Sequence, residues 1–325
     1  MSLPQPPAGL PFTITRISHV VLNVTDLVAS RAFYEELIGL VVTAQEGDRV
    51  YLRGVEEAAH HSLVLQQANG EPTAERMGFR VGSEQQLDAL KGHFEALGLP
   101  AEWADVPHQS RTLHATDPVG VPLEYCVTMP VAPRLCLDHH LYKGAAATRI
   151  DHAQVHVPSV AAWVAFHVGL GFRISEYASP DGTPHTPLLG AFLSRKGDLL
   201  DFVGVMNKGP RLHHVSFIVH DPSYTLTRAA DIASGLGWRD AVEYGPARHG
   251  LAPQQFVYLR GPDGHRAELV SHGYQFLDPE LEAVGWARED PRAVATWGPM
   301  PGERWLEEAA AFRGVAVEEP QTSAG

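Results

Sequence analysis

Hydrophobic and polar residues alternate over short stretches of this chain, and a helix-like pattern follows such stretches. The alternation predicts a strand at residues 17–24, and the Thr–Asp pair after it is suited to begin a helix that extends to Leu37. The same order returns far along the chain, where we predict a strand at 211–217 and a helix at 223–236. The chain therefore contains a recurring unit in which a strand precedes a helix.

A glycine follows each predicted helix, at the position where a helix C-terminus favours a left-handed residue. This ending occurs in four places: Ile38-Gly39-Leu40, Leu97-Gly98-Leu99, Leu170-Gly171-Phe172 and Leu236-Gly237-Trp238. We therefore predict four modules, each with one strand, one helix and about three further strands, at residues 16–68, 75–128, 149–205 and 211–271. Modules this short should pair to bury their sheets. The predicted fold class is α+β, with four βαβββ modules paired into two domains of curved mixed sheets.

The repeat divides the chain into two similar halves. We expect five parts in chain order: a tail at 1–15, an N-terminal domain of two modules at 16–128, a linker at 129–148, a C-terminal domain of two modules at 149–271 and an extension at 272–325. The extension is rich in proline, with one helix predicted from Glu303 to Phe312. We expect the extension to pack on the C-terminal domain.

The composition narrows the class of protein. Hydrophobic residues make up 44% and charged residues 19% of the 325 residues, values that are ordinary for a globular enzyme. The formal charge of −13 argues against nucleic acids and anionic membranes as partners. No apolar run approaches the length of a membrane span, and the N-terminus lacks the regions of a signal peptide. Because Cys126 and Cys136 are the two cysteines, we expect a reducing, cytoplasmic location.

The repeat aligns three polar positions of one half with three of the other. The C-terminal half has His152, His214 and Glu268, where the N-terminal half has His19, Arg76 and Glu124. Two imidazoles and a carboxylate on one face of an octahedral metal leave three positions open, as in non-haem Fe(II) oxygenases. An arginine cannot ligate a metal. We therefore expect Arg76 to pair with Glu124, and the N-terminal domain to be free of metal.

Four runs of residues in the second half carry a resemblance to a known family: 149–152, 209–214, 245–250 and 258–268. In combination they resemble the vicinal oxygen chelate superfamily, and within it the two-domain extradiol catechol dioxygenases, most of all the homoprotocatechuate 2,3-dioxygenase branch. The similarity extends from about residue 16 to residue 271. It implies a vicinal oxygen chelate fold and an enzyme that uses O2 to open a catechol ring next to the diol.

The resemblance also implies roles for particular residues. His152, His214 and Glu268 match the positions that hold Fe(II), or occasionally Mn(II), in that family. His249 and Tyr258 match catalytic positions that hold the substrate oxygens and handle protons. The substrates would be a small aromatic diol and O2. We also expect a homo-oligomer, either a dimer or a tetramer.

Six residues are candidates for substrate binding: Gln154, Phe192, Leu200, Tyr244, Arg248 and Arg292. The family has an acid/base histidine at the position of Leu200, and leucine has no proton to give. Gln154 stands where the branch has asparagine, and Phe192 where it has tryptophan. An arginine that binds the substrate carboxylate in that branch corresponds to Tyr244. A second would fall near Val294, with Arg292 two places away. We therefore expect a less acidic or more apolar diol than homoprotocatechuate.

Two other functions fit this superfamily. A glyoxalase-type lyase or isomerase would use Ni(II), Zn(II) or Co(II) with a further metal ligand. Asp201 is the candidate ligand, because the repeat aligns it with Glu268, and strand alternation would then turn Leu200 away from the site. A non-catalytic binding protein would need no metal triad at all. If the chain does cleave catechols, His185 is a candidate replacement for the missing acid.

Overall fold

The computed structural model describes residues 2–195 and 197–321. The N-terminal half has the predicted order of two βαβββ modules. Its elements are β1 (Ile14–Val24), α1 (Leu27–Ala32), β2 (Val41–Glu46), β3 (Arg49–Arg53), β4 (Leu63–Gln67), β5 (Thr73–Val81), α2 (Glu84–Ala96), β6 (Ala101–Ala104), β7 (Thr112–Thr116) and β8 (Pro122–Cys126). The strands form one mixed sheet in the order β2-β3-β4-β1-β5-β8-β7-β6.

The C-terminal half repeats the arrangement. Its elements are β9 (Arg149–Val157), α3 (Val160–Gly169), β10 (Arg173–Ser179), β11 (Gly190–Ser194), β12 (Phe202–Met206), β13 (Arg211–Ile218), α4 (Pro222–Gly235), β14 (Val242–Arg248), β15 (Gln255–Arg260) and β16 (Arg266–Val270). The second sheet has the order β14-β15-β16-β13-β9-β12-β11-β10. The predicted fold class of four paired βαβββ modules is confirmed.

Local sequence accounts for where the module helices begin and end. Each begins after an Asp or Ser whose side chain accepts a backbone N–H of the first turn: Asp26, Ser83, Ser159 and Asp221. The four glycines that follow all have positive φ, between 69° and 96°, as predicted: Gly39, Gly98, Gly171 and Gly237. The first helix differs from the prediction, because its second half, Phe33–Ile38, is π-helical.

The C-terminal extension contributes strands as well as helix. Its elements are β17 (Val284–Ala287), α5 (Pro291–Val294), α6 (Glu303–Glu307) and β18 (Ala310–Ala311). β17 pairs with β10 and β18 with β13, so both extend the second sheet. The predicted helix from Glu303 to Phe312 is therefore wrong beyond Glu307. A helix of one turn gains little by itself, and the backbone at 310–311 hydrogen-bonds to β13 instead.

The two halves meet through polar contacts related by the repeat. The backbone N–H of Ile17 donates to Asp201 (3.0 Å), and that of Ile150 in the other half donates to Glu57 (3.2 Å). Asp263, in the turn before β16, accepts from the Ser30 hydroxyl of α1 (2.5 Å). These contacts fix the strands that begin each half. No helix in the described ranges is long and apolar enough to cross a membrane.

Candidate metal centre

Three neighbouring strands of the second sheet bring two histidines and a carboxylate together. His152 lies on β9, His214 on β13 and Glu268 on β16, and all three side chains are buried. The Nε2 atoms of His152 and His214 are 3.1 Å apart, and Glu268 Oε2 lies 3.3 Å from each. Adjacent ligands of an octahedral metal with bonds of about 2.1 Å are about 3.0 Å apart, which is close to this spacing.

The carboxylate supplies a test of whether a cation fits. Glu268 Oε2 is buried and makes no hydrogen bond within the described chain, an expensive arrangement for a charged atom. Burial would raise the pKa of Glu268, but His214 and His152 hold it well below its usual range. Burial lowers the pKa of His214 to about 4. Burial would also lower the pKa of His152, but hydrogen bonds to Asp151 and Glu268 raise the pKa of His152 to about 9, so a metal bound here would displace a proton from this imidazole. The site therefore directs one anionic oxygen and two imidazole nitrogens toward one point, which fits a divalent cation.

Each histidine of the centre is oriented by a partner on its other nitrogen. His152 Nδ1 lies 2.9 Å from Asp151 Oδ2, a carboxylate that accepts the proton and leaves Nε2 directed inward. His214 Nδ1 lies 2.7 Å from Nδ1 of His213, whose Nε2 is 2.7 Å from the carbonyl oxygen of Trp305. Burial keeps the pKa of His213 well below normal, so its imidazole is neutral.

This chain of contacts sets the tautomer of His214. The Trp305 carbonyl must accept, so His213 donates from Nε2 and accepts at Nδ1. His214 then donates from Nδ1, and its Nε2 lone pair faces the centre. Sequence reasoning missed this support from His213 and from α6 of the extension. The His-His doublet in the sequence was a visible signal, whereas the Trp305 carbonyl could not be foreseen.

Tyr258 and His249 form a hydrogen-bonded pair beside the triad. His249 Nε2 lies 3.1 Å from the Tyr258 hydroxyl and 3.7 Å from Glu268 Oε1. His249 Nδ1 is 2.5 Å from the carbonyl of Val294, which accepts its proton and leaves Nε2 to accept from the tyrosine. Burial, with the nearby Glu268 charge, raises the pKa of Tyr258 well above normal, so the phenol keeps its proton. The structure thus brings both predicted catalytic residues to the triad.

The candidate substrate-binding residues divide into two groups. Leu200 is buried in an apolar cluster that includes Ala252 and Phe276, and Phe192 packs against it. Gln154 is half-buried on β9 two residues beyond His152, so alternation places it on the same face of the strand.

Tyr244 is stacked parallel to Tyr258, with ring centroids 5.6 Å apart. The two arginines have other partners. Arg248 donates to the Pro253 carbonyl (2.7 Å), and Arg292, with 72% of its side chain exposed, pairs with Asp290 on the surface. The structure therefore does not bring either guanidinium to the triad. The predicted substitute acid, His185, lies on an exposed loop.

Asp201 does not join the triad. Its two carboxylate oxygens accept backbone N–H groups of Ile17 (3.0 Å) and Arg195 (2.7 Å). Those contacts tie the end of β11 to the N-terminal half. The group of potential ligands found in the described residues contains His152, His214 and Glu268 without Asp201. The prediction of Asp201 as a fourth ligand is wrong, because the aspartate is used where the two halves meet.

The equivalent position in the N-terminal half also differs from the prediction. Glu124 lies 2.7 Å from His19 Nε2 and 2.7 Å from His114 Nε2, and it accepts from Gln109 (2.6 Å). Arg76 makes no ion pair with Glu124 anywhere in the described chain, so that prediction is wrong. His19 reaches the carboxylate because Gly78 leaves room, and a Cβ there would overlap the imidazole.

Comparison with known proteins agrees with this geometry. The sequence model of the Glyoxalase/Bleomycin resistance protein/Dioxygenase superfamily matches residues 16–125 and 149–269. The chain belongs to this superfamily. A manganese-dependent 2,3-dihydroxybiphenyl 1,2-dioxygenase from Geobacillus genomosp. 3 is 30% identical over 308 residues, covering 88% of this chain and 94% of that protein.

Two further relatives point to the same group. A metapyrocatechase from Pseudomonas sp. (strain CF600) is 30% identical over 310 residues, with 90% of this chain and 97% of that protein covered. Homoprotocatechuate 2,3-dioxygenase from Brevibacterium fuscum, solved in an anaerobic complex with 3,4-dihydroxyphenylacetate, superposes with a TM-score of 0.89. It is 31% identical, and the superposition covers 98% of this chain and 99% of that one. The resemblance to the extradiol dioxygenases is confirmed.

Proposed function

We propose that this protein is an extradiol dioxygenase that uses one divalent metal and O2 to open the ring of a catechol with an apolar substituent. The observation that carries the proposal is the buried triad. His152, His214 and Glu268 aim three ligand atoms at one point, with Glu268 Oε2 left without a hydrogen bond. The similarity to extradiol dioxygenases over about nine-tenths of the chain supports the reaction class.

The chain's own residues would hold and orient the reactants. His152, His214 and Glu268 would bind the metal, which supplies a site where a catechol and O2 can bind side by side and exchange electron density. Asp151 and His213 hold the two imidazoles in the orientation that ligation requires. Buried partners that are already in place cost no reorganisation during the reaction.

Tyr258 and His249 are suited to handle the protons of the substrate. The phenol of Tyr258 keeps its proton and donates to His249 Nε2 in the structure. A catechol oxygen bound at the triad would receive the Tyr258 hydrogen bond, and His249 would take up or return a proton at Nε2. The Val294 carbonyl keeps the His249 ring in place during this exchange.

The surroundings of Leu200 support an apolar substrate. Leu200, Phe192 and Phe276 belong to one apolar cluster. Leu200 precedes Asp201, whose carbonyl accepts from the residue after His152, so this cluster would give one side of the site an apolar wall. Arg248 and Arg292 have their guanidinium groups on other partners, so no arginine among the predicted binding residues is available for a substrate carboxylate. We infer a neutral substituted catechol, such as the 2,3-dihydroxybiphenyl named for one relative, over an acidic one.

The identity of the native metal and the oligomeric state are two further parts of the proposal. We propose Fe(II) as the native metal because a site with two histidines and a carboxylate is typical of non-haem iron oxygenases. Mn(II) is the alternative, since one relative is named as manganese-dependent. We also propose a homo-oligomer, a dimer or tetramer, which light scattering during size-exclusion chromatography would identify. A monomeric mass would contradict that part of the proposal.

Oxygen uptake tests the function. The purified protein is loaded anaerobically with Fe(II) or Mn(II) and mixed with catechol, 2,3-dihydroxybiphenyl or 3,4-dihydroxyphenylacetate in an oxygen electrode. We expect one O2 consumed per diol, a coloured ring-opened product and the highest kcat/KM for the biphenyl. The metal that supports the faster turnover is assigned as native. Absence of uptake with both metals across the panel would contradict the proposed function.

A further inference from the structure

The N-terminal domain has a cavity of about 250 Å³ at the position that the metal centre occupies in the C-terminal domain. Strand register establishes the equivalence. Gly78 pairs with Glu124 in the first sheet as Ser216 pairs with Glu268 in the second. Arg76, two residues before Gly78, therefore stands where His214 stands. The cavity is the counterpart of the catalytic site on a domain that lacks the metal triad.

The same register identifies a second equivalence, which concerns the missing acid/base histidine. The backbone N–H of Val20 donates to the Ser62 carbonyl, as that of Ala153 donates to the Asp201 carbonyl. His61, one residue before Ser62, is therefore the counterpart of Leu200. The N-terminal domain has a histidine at the place where the C-terminal domain has leucine.

The acidic groups deep in the cavity already have partners. Glu124 is bound by His19, His114 and Gln109, and Glu75 is paired with Arg313 (2.7 Å). These contacts occupy both carboxylates, and neither carboxylate forms an ion pair with Arg76 in the described chain. The remaining acidic residue of the lining, Asp105, is exposed to solvent.

Two of the arginines in the lining, unlike Arg313, have no partner among the described residues. The guanidinium groups of Arg76 and Arg49 are partly buried and make no hydrogen bond or ion pair with the described residues. Burial lowers the pKa of Arg76, and the charges of Glu124 and Glu75 oppose this shift without reversing it. His61, 1% exposed, has no partner for its Nε2 atom. The unsatisfied groups are therefore two cations and an imidazole nitrogen.

The rest of the lining is suited to an aromatic ring. Val21 and Val64 contribute apolar surface, and the ring of Tyr51 lies beside them. The volume is below that of a site for a drug-sized molecule, so it admits a ligand of about one ring. Arginine is the side chain best suited to hold a carboxylate, through two parallel N–H donors.

We propose that this N-terminal cavity is a binding site for a small aromatic carboxylate. Arg76 and Arg49 hold the carboxylate, His61 closes one side of the cavity, and the ring packs against Tyr51 and Val64. The site is separate from the catalytic one and uses neither metal nor O2, so it goes beyond ring cleavage. The arginine that replaces a metal ligand at position 76 is then a ligand-binding residue.

Calorimetry with benzoate tests the site on the full-length protein. We expect one benzoate bound per chain, at least about tenfold more tightly than neutral benzyl alcohol, because charged hydrogen bonds to arginine are lost with the alcohol. Open-chain hexa-2,4-dienoate has the carboxylate without the aromatic ring and should bind more weakly. Equal binding of benzyl alcohol, equal binding of the dienoate, or no binding of benzoate would overturn the proposal.

Variants locate the bound benzoate. Arg76→Met and, independently, Arg49→Met should each weaken binding about tenfold, and His61→Leu should weaken it several-fold. His214→Ala removes a ligand of the metal centre and should leave benzoate affinity unchanged. Thermal melting with and without benzoate separates folding defects from binding defects. Benzoate binding that is lost in His214→Ala but retained in the arginine variants would place the ligand at the metal centre and overturn the proposal. Failure of benzoate to bind would leave the oxygen-uptake test of the proposed function unaffected.

Discussion

The two halves of this molecule share a fold and strand register but differ in what the register brings together. In the C-terminal half His214 faces His152 and Glu268, and three ligand atoms meet. In the N-terminal half, Arg76 occupies the position of His214, and Glu124 binds His19 instead. The shared fold and strand register thus assemble a polar cluster in both halves. One difference between the two clusters is the side chain at this position, because an arginine cannot ligate a metal.

The partners of the buried carboxylate extend the comparison. Glu268 has Tyr258 opposite it on the neighbouring strand, and Glu124 has His114 at the same position. His114 lies 2.7 Å from Glu124 and binds it directly, whereas Glu268 Oε2 has no hydrogen bond to any residue that the structure describes. A satisfied carboxylate is stable without metal, and an unsatisfied one favours a cation. The N-terminal cluster is therefore stabilised internally.

The largest effect is expected from His214→Ala. Loss of one of three ligands should reduce the metal content from about one per chain to near zero and abolish oxygen uptake. The matched control is Arg76→Ala, the same change at the equivalent position, which should keep the metal and the uptake. Elemental analysis after dialysis measures both. Metal retained in His214→Ala, or about two metals per wild-type chain, would contradict the single-centre comparison.

The converse change, Arg76→His, should add a metal site. Histidine at position 76 would complete a triad with His19 and Glu124, so we expect metal content to rise from about one toward two per chain at saturating Fe(II) or Mn(II). Arg76→Gln, which removes the charge without adding an imidazole, is the control and should stay at about one. A value of one in both variants would mean that the contact of His114 with Glu124 prevents ligation.

A smaller effect is expected at position 200, where the C-terminal half has leucine and the N-terminal half has a histidine, His61. Leu200→His should raise turnover on unsubstituted catechol several-fold or more, because a general acid contributes about 10²–10⁴-fold. The buried imidazole should also raise KM for 2,3-dihydroxybiphenyl by disturbing the apolar wall. Leu200→Asn, polar but without an acid, is the control for turnover. Steady-state kinetics measure kcat and KM for variants whose metal content equals that of the wild type. Catechol kinetics that do not change in Leu200→His would refute the role of position 200.

The smallest effect is expected at Gly78, which packs against the His19 ring, and at its equivalent in the C-terminal half, Ser216. Gly78→Ala should lower the free energy of unfolding by about 1–3 kcal/mol, since the added Cβ overlaps the His19 ring. Ser216→Ala, its equivalent, should change it by less than about 0.5 kcal/mol, because the buried Ser216 hydroxyl has no partner to lose. Urea unfolding of the metal-free variants measures both values. Equal effects at the two positions would contradict the conclusion that Gly78 makes room for the His19 ring.

Much of the fold could be predicted because its signals are local. Glycines with positive φ follow all four module helices, and Asp or Ser side chains begin them, so each boundary is set by a few neighbouring residues. The repeat then aligned His152, His214 and Glu268 without knowledge of their distances. Residues that face one another in repeated units keep that relation when the units pair.

Only the tertiary structure decided which distant segments come into contact. The partner of Glu124 depends on the space left by Gly78 and on a loop residue, Gln109. Asp201 has the sequence position of a ligand, but the backbone of Ile17 from the other half binds it. The extension forms a short strand at 310–311 because the first two residues of β13 lie beside it. Sequence fixes what each residue can bind, and packing decides which partner comes within reach.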